Sequence, residues 1–186
     1  TRALPPVSPL FEKKEEDTME TYRFILPGYN FRPLELCAAA GLEQLKKSEK
    51  FLEIRRQNAI LFREMFEKDE RVILQREIYP PSVAKSAWAG FSMVLNPKWN
   101  IDKKRFFDKL RDNQIAFRMI GAGNFTRHDV IRFFDYEISG NLKSADIVHD
   151  RGFYVGNYPQ NLLKQFDRLK QILASIPVAT AVKTAA

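Results

Sequence analysis

The protein has 186 residues, and its 30 Lys and Arg against 23 Asp and Glu give a formal net charge of +7. Hydrophobic residues make up 45% and charged residues 28%, which excludes a disordered or collagen-like chain and predicts about one globular domain. Its one cysteine, Cys37, excludes an intrachain disulfide and favours a reducing, cytoplasmic location, and no apolar run reaches the ~20 residues of a membrane span.

The N-terminal part of the chain combines an arm with two helices. Residues 1–25 are proline-rich and then charged, which predicts a linker or an extended arm, and the absence of an initiator Met suggests an excised fragment. A first helix follows Pro33, a residue favoured at the first helical position. A longer amphipathic helix comes next, with these residues on one side: Phe51, Ile54, Asn58, Leu61, Phe62 and Met65.

The rest of the chain alternates short strands with helices. Strands are expected over residues 71–75, 88–95, 114–120 and 153–155. Helices are expected over residues 101–112, from an N-cap at Ser144 to a stop at Gly152, and over a last segment ending near Leu173. Residues 176–186 are expected to form a disordered tail. Separated strands mixed with helices predict an α+β (α/β) fold, a small sheet with helices on one face.

The positive charge is spread out rather than clustered. Lys and Arg residues alternate with Asp and Glu along the helices, which is typical of a solvated surface and weighs against nucleic-acid binding. A basic bias also suits an anionic small molecule. His128 and His149 are far apart in sequence and Cys37 has no nearby partner, so no metal site is expected.

Two groups of polar residues are candidate anion sites. Arg118 interrupts an apolar strand, so it must face solvent, a carboxylate or a ligand. With Asn124, Arg127 and His128 beyond a Gly121–Asn124 loop, it could bind an anion, but an internal salt-bridge network explains the pattern equally well.

The second group lies nearer the N-terminus. Asn30 and Arg32 stand just before a helix and could reach a phosphate together. A loop that leads into a capped helix is an equally good interpretation.

Longer stretches of the sequence resemble a known family. Leu26–Glu35 (LPGYNFRPLE), Ala38–Leu45 (AAAGLEQL) and Arg55–Ala59 (RRQNA) resemble segments of the DegT/StrS family of pyridoxal-phosphate (PLP) enzymes, which act on nucleotide-linked keto sugars. Phe117–Arg127 (FRMIGAGNFTR) resembles the sugar 3-dehydratase branch, and the likeness continues through residues 136–142 and 152–159.

The resemblance carries expectations about organisation. It implies the C-terminal small domain of a fold-type I PLP enzyme, a small, mostly antiparallel sheet with a long linking helix. Residues 1–25 would be the arm, 26–68 the cross-subunit loop and linking helices, 69–175 the small domain and 176–186 the tail. The partners implied are a nucleotide sugar and a second subunit or a large domain.

The resemblance also implies roles for residues. Asn30 and Arg32 would contact the PLP phosphate across a homodimer, and Arg118, Asn124 and Arg127 would bind substrate. The Lys or His that meets the PLP aldehyde belongs to an N-terminal domain outside this chain, so the chain would hold no catalytic residue and be inert alone. Nothing in a chain with one cysteine supports an iron–sulfur cluster.

Two further functions stay open. The chain could belong to a nucleotide-sugar aminotransferase, or it could be a stand-alone, non-catalytic binding module. The residue at the Schiff-base position separates the two enzyme types, because a His implies dehydration and a Lys implies transamination.

Overall fold

The computed structural model describes residues 23–25, 27–28, 34–77 and 85–180. Two helices come first, α1 (Glu35–Leu45) and α2 (Ser48–Phe66). The expected amphipathic pattern of α2 is confirmed, since Asn58, Ala59, Phe62 and Phe66 are buried. Helix α1 has no buried residue. In the part of the chain that the structure describes, no helix is long and apolar enough to cross a membrane.

A four-stranded antiparallel sheet forms the centre of the fold. Its strands are β1 (Val72–Leu74), β2 (Gly90–Leu95), β4 (Phe117–Arg118) and β5 (Gly152–Gly156), in the order β1-β2-β5-β4. A separate antiparallel pair joins β3 (Trp99–Ile101) to β6 (Val178–Thr180). The remaining helices are α3 (Lys103–Asp112), α4 (Lys143–Arg151) and α5 (Leu163–Ala174).

Aromatic side chains from one face of the sheet and from three helices make the core. The ring of Phe62 stacks on Phe91 at 4.3 Å between centroids, and Phe166 of α5 meets both rings edge-on. Phe106 and Phe107 of α3 pack edge-on against Phe153 of β5. Burial of so much aromatic surface on one face fixes the register, because a slip of one residue would expose it. The predicted small antiparallel sheet with helices on one face is confirmed.

Several predictions differ from the structure at or near the ends of elements. The strand expected over 114–120 is only Phe117–Arg118, since Gln114 has a φ of 56° and Gly121 a φ of 50°. Helix α4 begins at Lys143 after Leu142, so Ser144 is not its N-cap, although Gly152 does end it. Disorder from residue 176 is wrong for residues 176–180: Ile176 is buried, and β6 pairs with β3, a strand that the sequence pattern did not predict.

Candidate functional site

Arg118 lies on the side of the sheet that faces away from the aromatic core. Its strand, β4, is a sheet edge, and the register places Arg118 beside Tyr154, which in turn is beside Ser92. Arg118 is exposed, and among the described residues its guanidinium has no ion pair or hydrogen bond. A guanidinium without a carboxylate partner is available to an anion.

The three residues Ser92, Tyr154 and Arg118 form a row across the sheet, which we call the polar row. Cross-strand neighbours on one face lie about 5 Å apart, so a single ligand can contact all three. Gly90 leaves room for the ring of Tyr154: a Cβ there would lie 2.9 Å from its Cδ2 and 2.8 Å from the carbonyl oxygen of Val155. The sequence pattern placed Arg118 on this face but missed Ser92 and Tyr154, because only the strand register shows that they are neighbours.

The loop after β4 is more constrained than an ordinary turn. Gly121, Ala122 and Gly123 have φ values of 50°, 64° and 72°, three left-handed residues in succession. A Cβ on Gly123 would lie 2.6 Å from Nδ1 of His149, so only glycine fits there. Ala122 is buried and has no such freedom, so this conformation must be held by its surroundings.

Asn124 is used to build this loop. It is buried, and its side-chain oxygen accepts from the backbone N–H and the hydroxyl of Thr126 at 3.1 and 2.8 Å. Its Nδ2 donates to Asp146 at 2.8 Å, and its backbone N–H donates to Nδ1 of His149 at 3.2 Å. The amide therefore caps the short 3₁₀ helix Phe125–Arg127 and ties it to α4.

Arg127 is likewise tied to α4. Its guanidinium lies 2.8 Å from Asp150 and 3.8 Å from Asp146. The sequence left open whether Arg118, Asn124 and Arg127 formed an anion site or an internal network. The structure puts Asn124 and Arg127 in an internal network and leaves Arg118 open.

His128 connects the same loop to the N-terminal arm. The backbone N–H of Phe24 donates to its Nδ1 at 3.0 Å, so the ring proton is on Nε2, which donates to the carbonyl oxygen of Ala122 at 2.8 Å. The arm also contacts the domain through the Phe24 carbonyl, which accepts from the Val130 N–H, and through an ion pair between Arg23 and Asp129. Arg23 and Phe24 of the expected arm are therefore docked on the domain.

The other predicted site residues have no place in this geometry. Asn30 and Arg32 lie outside the described residues. The residues that the structure describes contain no group of three or more His, Cys, Asp or Glu side chains that could hold a metal ion.

The sequence of this chain is similar to one family profile and to individual known proteins. The sequence profile described as the DegT/DnrJ/EryC1/StrS aminotransferase family matches residues 11–174. Over 175 residues the chain is 38% identical to a GDP-4-keto-6-deoxy-D-mannose 3-dehydratase of Yersinia pseudotuberculosis, covering 93% of this chain and 43% of that protein. It is 35% identical over 175 residues to the protein of the same name from Escherichia coli O55:H7, covering 93% of this chain and 44% of the relative.

The solved structures similar to this chain include an enzyme with the same name as these relatives. The structure titled "E coli GDP-4-keto-6-deoxy-D-mannose-3-dehydratase with bound hydrated PLP" matches with a TM-score of 0.69 and 35% identity, over 86% of this chain and 40% of that one. Helicobacter pylori PseC, an aminotransferase, is 18% identical with a TM-score of 0.58 over 79% of this chain and 38% of that one, and it shows the shared fold alone. The chain spans less than half the length of these proteins.

Proposed function

The chain belongs to the DegT/DnrJ/EryC1/StrS aminotransferase family, and we propose that it is the C-terminal part of a PLP-dependent sugar 3-dehydratase. The proposed substrate is a nucleotide-linked 4-keto-6-deoxy sugar. The observation that carries the proposal is the 38% identity to the Yersinia 3-dehydratase over 93% of the chain. One similar solved structure, of a mutant GDP-4-keto-6-deoxymannose-3-dehydratase, is described as having GDP-perosamine bound, which favours a GDP-linked sugar.

The cofactor would be PLP, whose chemistry in such enzymes is that of an electron sink. Asn30 and Arg32 are our candidates for contacts to its phosphate from a neighbouring subunit. Neither of the two histidines is placed to meet the PLP aldehyde: His128 and His149 are buried, and each accepts a backbone N–H through Nδ1. We therefore assign the group that meets the PLP aldehyde to a part of the enzyme outside this chain, and we expect the chain alone to be inert.

Arg118 is the residue that we assign to substrate binding. A diphosphate-linked sugar is an anion, and the open guanidinium on the polar row can bind it with charge-assisted hydrogen bonds, while Tyr154 and Ser92 offer hydroxyl groups beside it. Asn124 and Arg127 would act through the shape of the loop, because their side chains are held by Thr126, Asp146 and Asp150.

The organisation and assembly are also proposals. Residues 26–68 would form the cross-subunit loop and the link to the rest of the enzyme, and residues 69–175 would form the small domain. A homodimer would cover the exposed apolar helix α1. The exposed thiol of Cys37 suits the reducing cytoplasm.

The coding DNA upstream of Thr1 tests the reaction type. We expect it to encode a large domain with His at the position that meets the PLP aldehyde. A Lys there would mean transamination instead, and a start codon directly before Thr1 would favour a stand-alone binding module.

Calorimetric titration with GDP tests the assignment of Arg118. We expect Arg118→Ala to weaken binding at least about tenfold, since a charge-assisted hydrogen bond contributes about 1.5–3 kcal/mol. Arg105→Ala is the matched control, because it removes another exposed guanidinium, on α3. Equal effects of the two variants, or none, would refute a role of Arg118 in binding the nucleotide.

A further inference from the structure

His128 is buried at the point where the N-terminal arm meets the loop that ends strand β4. Both of its ring nitrogens are used, Nδ1 as the acceptor for Phe24 and Nε2 as the donor to Ala122. Only a neutral imidazole with its proton on Nε2 can make this pair of bonds. The side chain therefore bridges segments that are about 100 residues apart in sequence.

The two bonded segments differ in kind. On one side is Phe24, whose ring also packs 5.3 Å from the imidazole. On the other is Ala122, held in a left-handed conformation that a non-glycine residue seldom adopts. Ala122 is four residues after Arg118, the last residue of β4. A bond to the Ala122 carbonyl therefore restrains the short segment that follows this strand.

We propose that His128 is a positioning residue: its neutral imidazole clamps the arm at Phe24 to the Ala122 loop and so fixes the strand end that carries Arg118. Protonation opens the clamp, because an imidazolium donates from both nitrogens and its Nδ1–H would face the N–H of Phe24. The relevance to substrate rests on the proposed function of Arg118, whereas the clamp itself does not.

The carboxylates of this cluster that the structure describes already have partners. Asp129, the next residue, is paired with Arg23, and Asp146 accepts from Asn124. The imidazole's neighbour on α4 is His149, with ring centroids 6.0 Å apart. Within the described part of the chain, Arg127 and Asp150 pair with each other.

Nuclear magnetic resonance on the whole chain tests the clamp without any ligand. The pH is lowered stepwise from neutral until the imidazole signals of His128 show that the ring is protonated, and amide exchange is followed as protection factors. We expect the protection of the Phe24 and Val130 amides to fall at least tenfold with the midpoint of the His128 imidazole, while amides of the β2–β5 ladder stay protected. The Nε–Hε signal of Arg118 should shift with the same midpoint.

Two variants separate the two bonds. In His128→Asn the side-chain oxygen stands near the place of Nδ1, so Phe24 should stay protected at every pH. In His128→Gln the side-chain nitrogen stands near the place of Nε2, so the Ala122 bond is kept and Phe24 should be unprotected at every pH.

Several results would overturn the proposal. One is a ring proton on Nδ1 in the ¹⁵N shifts of wild-type His128 at high pH. Others are a Phe24 protection factor that does not respond to the imidazole, or an Arg118 signal that stays still while Phe24 responds. The measurement on the wild-type chain tests the proposal by itself, even if a variant fails to fold. Failure of GDP binding would refute the assignment of Arg118 and leave these readouts unaffected.

Discussion

The side-chain amide of Asn58 donates to the side-chain oxygen of Asn157 at 2.9 Å, although the two residues are 99 positions apart. Both are buried. Asn58 also donates to the carbonyl of Gln160 at 2.8 Å, and Asn157 donates to the carbonyls of Arg55 and Trp88, both at 2.9 Å. One pair of amides thus holds helix α2 against the end of β5 and the start of β2.

Removal of either amide should destabilise the fold. We expect Asn157→Ala to lower the free energy of unfolding by about 2–3 kcal/mol, because it removes the buried bond to Asn58 and the donor to two partly buried carbonyls. Asn58→Ala should cost a similar amount, and the double variant should cost clearly less than the sum, since the two side chains share a bond. Urea denaturation of the four proteins measures this.

Asn100→Ala, an exposed amide in β3, is the control and should leave the stability within about 0.5 kcal/mol. Strict additivity of the two buried substitutions would mean that Asn58 and Asn157 act independently, against the geometry.

Gly121 and Gly123 offer a matched pair in the loop after β4. Both have positive φ, but a Cβ on Gly121 would meet nothing within 4 Å, whereas one on Gly123 would meet His149. We expect Gly121→Ala to cost about 1 kcal/mol from backbone strain alone. Gly123→Ala should cost at least about 2 kcal/mol more, because His149 must move.

Thermal and urea unfolding of both variants give the comparison. Similar losses for the two substitutions would show that the contact between Gly123 and His149 is not tight. A loss confined to Gly121→Ala would contradict the described loop.

The sequence predicted the layers of the fold but not the partners of its polar residues. Alternating apolar residues identified β2, and the spacing of Phe106 and Leu110 identified the inner face of α3, because burial imposes these periods locally. Strand β3 is different, because three residues are too few to show an alternating pattern. Its pairing with β6, which places Trp99 opposite Thr180, could not be predicted from the sequence.

The candidate site shows the same limit. Arg118 and Arg127 look alike in sequence, and what distinguishes them is Asp150, 23 positions after Arg127 and on another element. Trp88 was expected to begin β2, yet its φ is 47°, with its N–H bound to the Ser86 hydroxyl and its carbonyl to Asn157. Contacts of this kind depend on tertiary structure, so no local period reveals them.

Asp69 and Arg71 form an ion pair whose pH dependence can be measured. Burial raises the pKa of Asp69, but the hydrogen bonds and charge of Arg71 outweigh it, and the pKa lies below its ordinary value. Arg71 also donates to the carbonyl of Leu173 at the end of α5. A carboxylate whose pKa is lower in the folded state stabilises the fold above its unfolded pKa of about 3.9, and this contribution disappears as the pH falls through the folded value.

We therefore expect Asp69→Asn to cost about 1–2 kcal/mol near neutral pH, and the difference from wild type to shrink as the pH falls below about 4. Urea denaturation at a series of pH values measures both. Asp108→Asn is the control: Lys104 and Arg111 lower its pKa too, but its side chain is 43% exposed and solvent screens the pairs, so stability should hardly change. A constant difference for Asp69→Asn down to pH values where the carboxyl is protonated would contradict the ion pair.

Helix α1 should make the chain self-associate. Leu36, Leu42 and Leu45 are 80%, 66% and 66% exposed, and the helix contributes nothing to the core that the structure describes. A helix of such apolar composition is stable in water only when another surface covers it. In a solution of the pure chain, a second copy can provide that surface. Light scattering after size exclusion should therefore give a mass above 21.7 kDa that rises with concentration.

Leu42→Lys should shift the mass towards the monomer, because the charge would have to be buried in the contact. Glu43→Gln, on the same helix, should not. A monomeric wild-type chain at high concentration would refute both the contact and the proposed homodimer through α1.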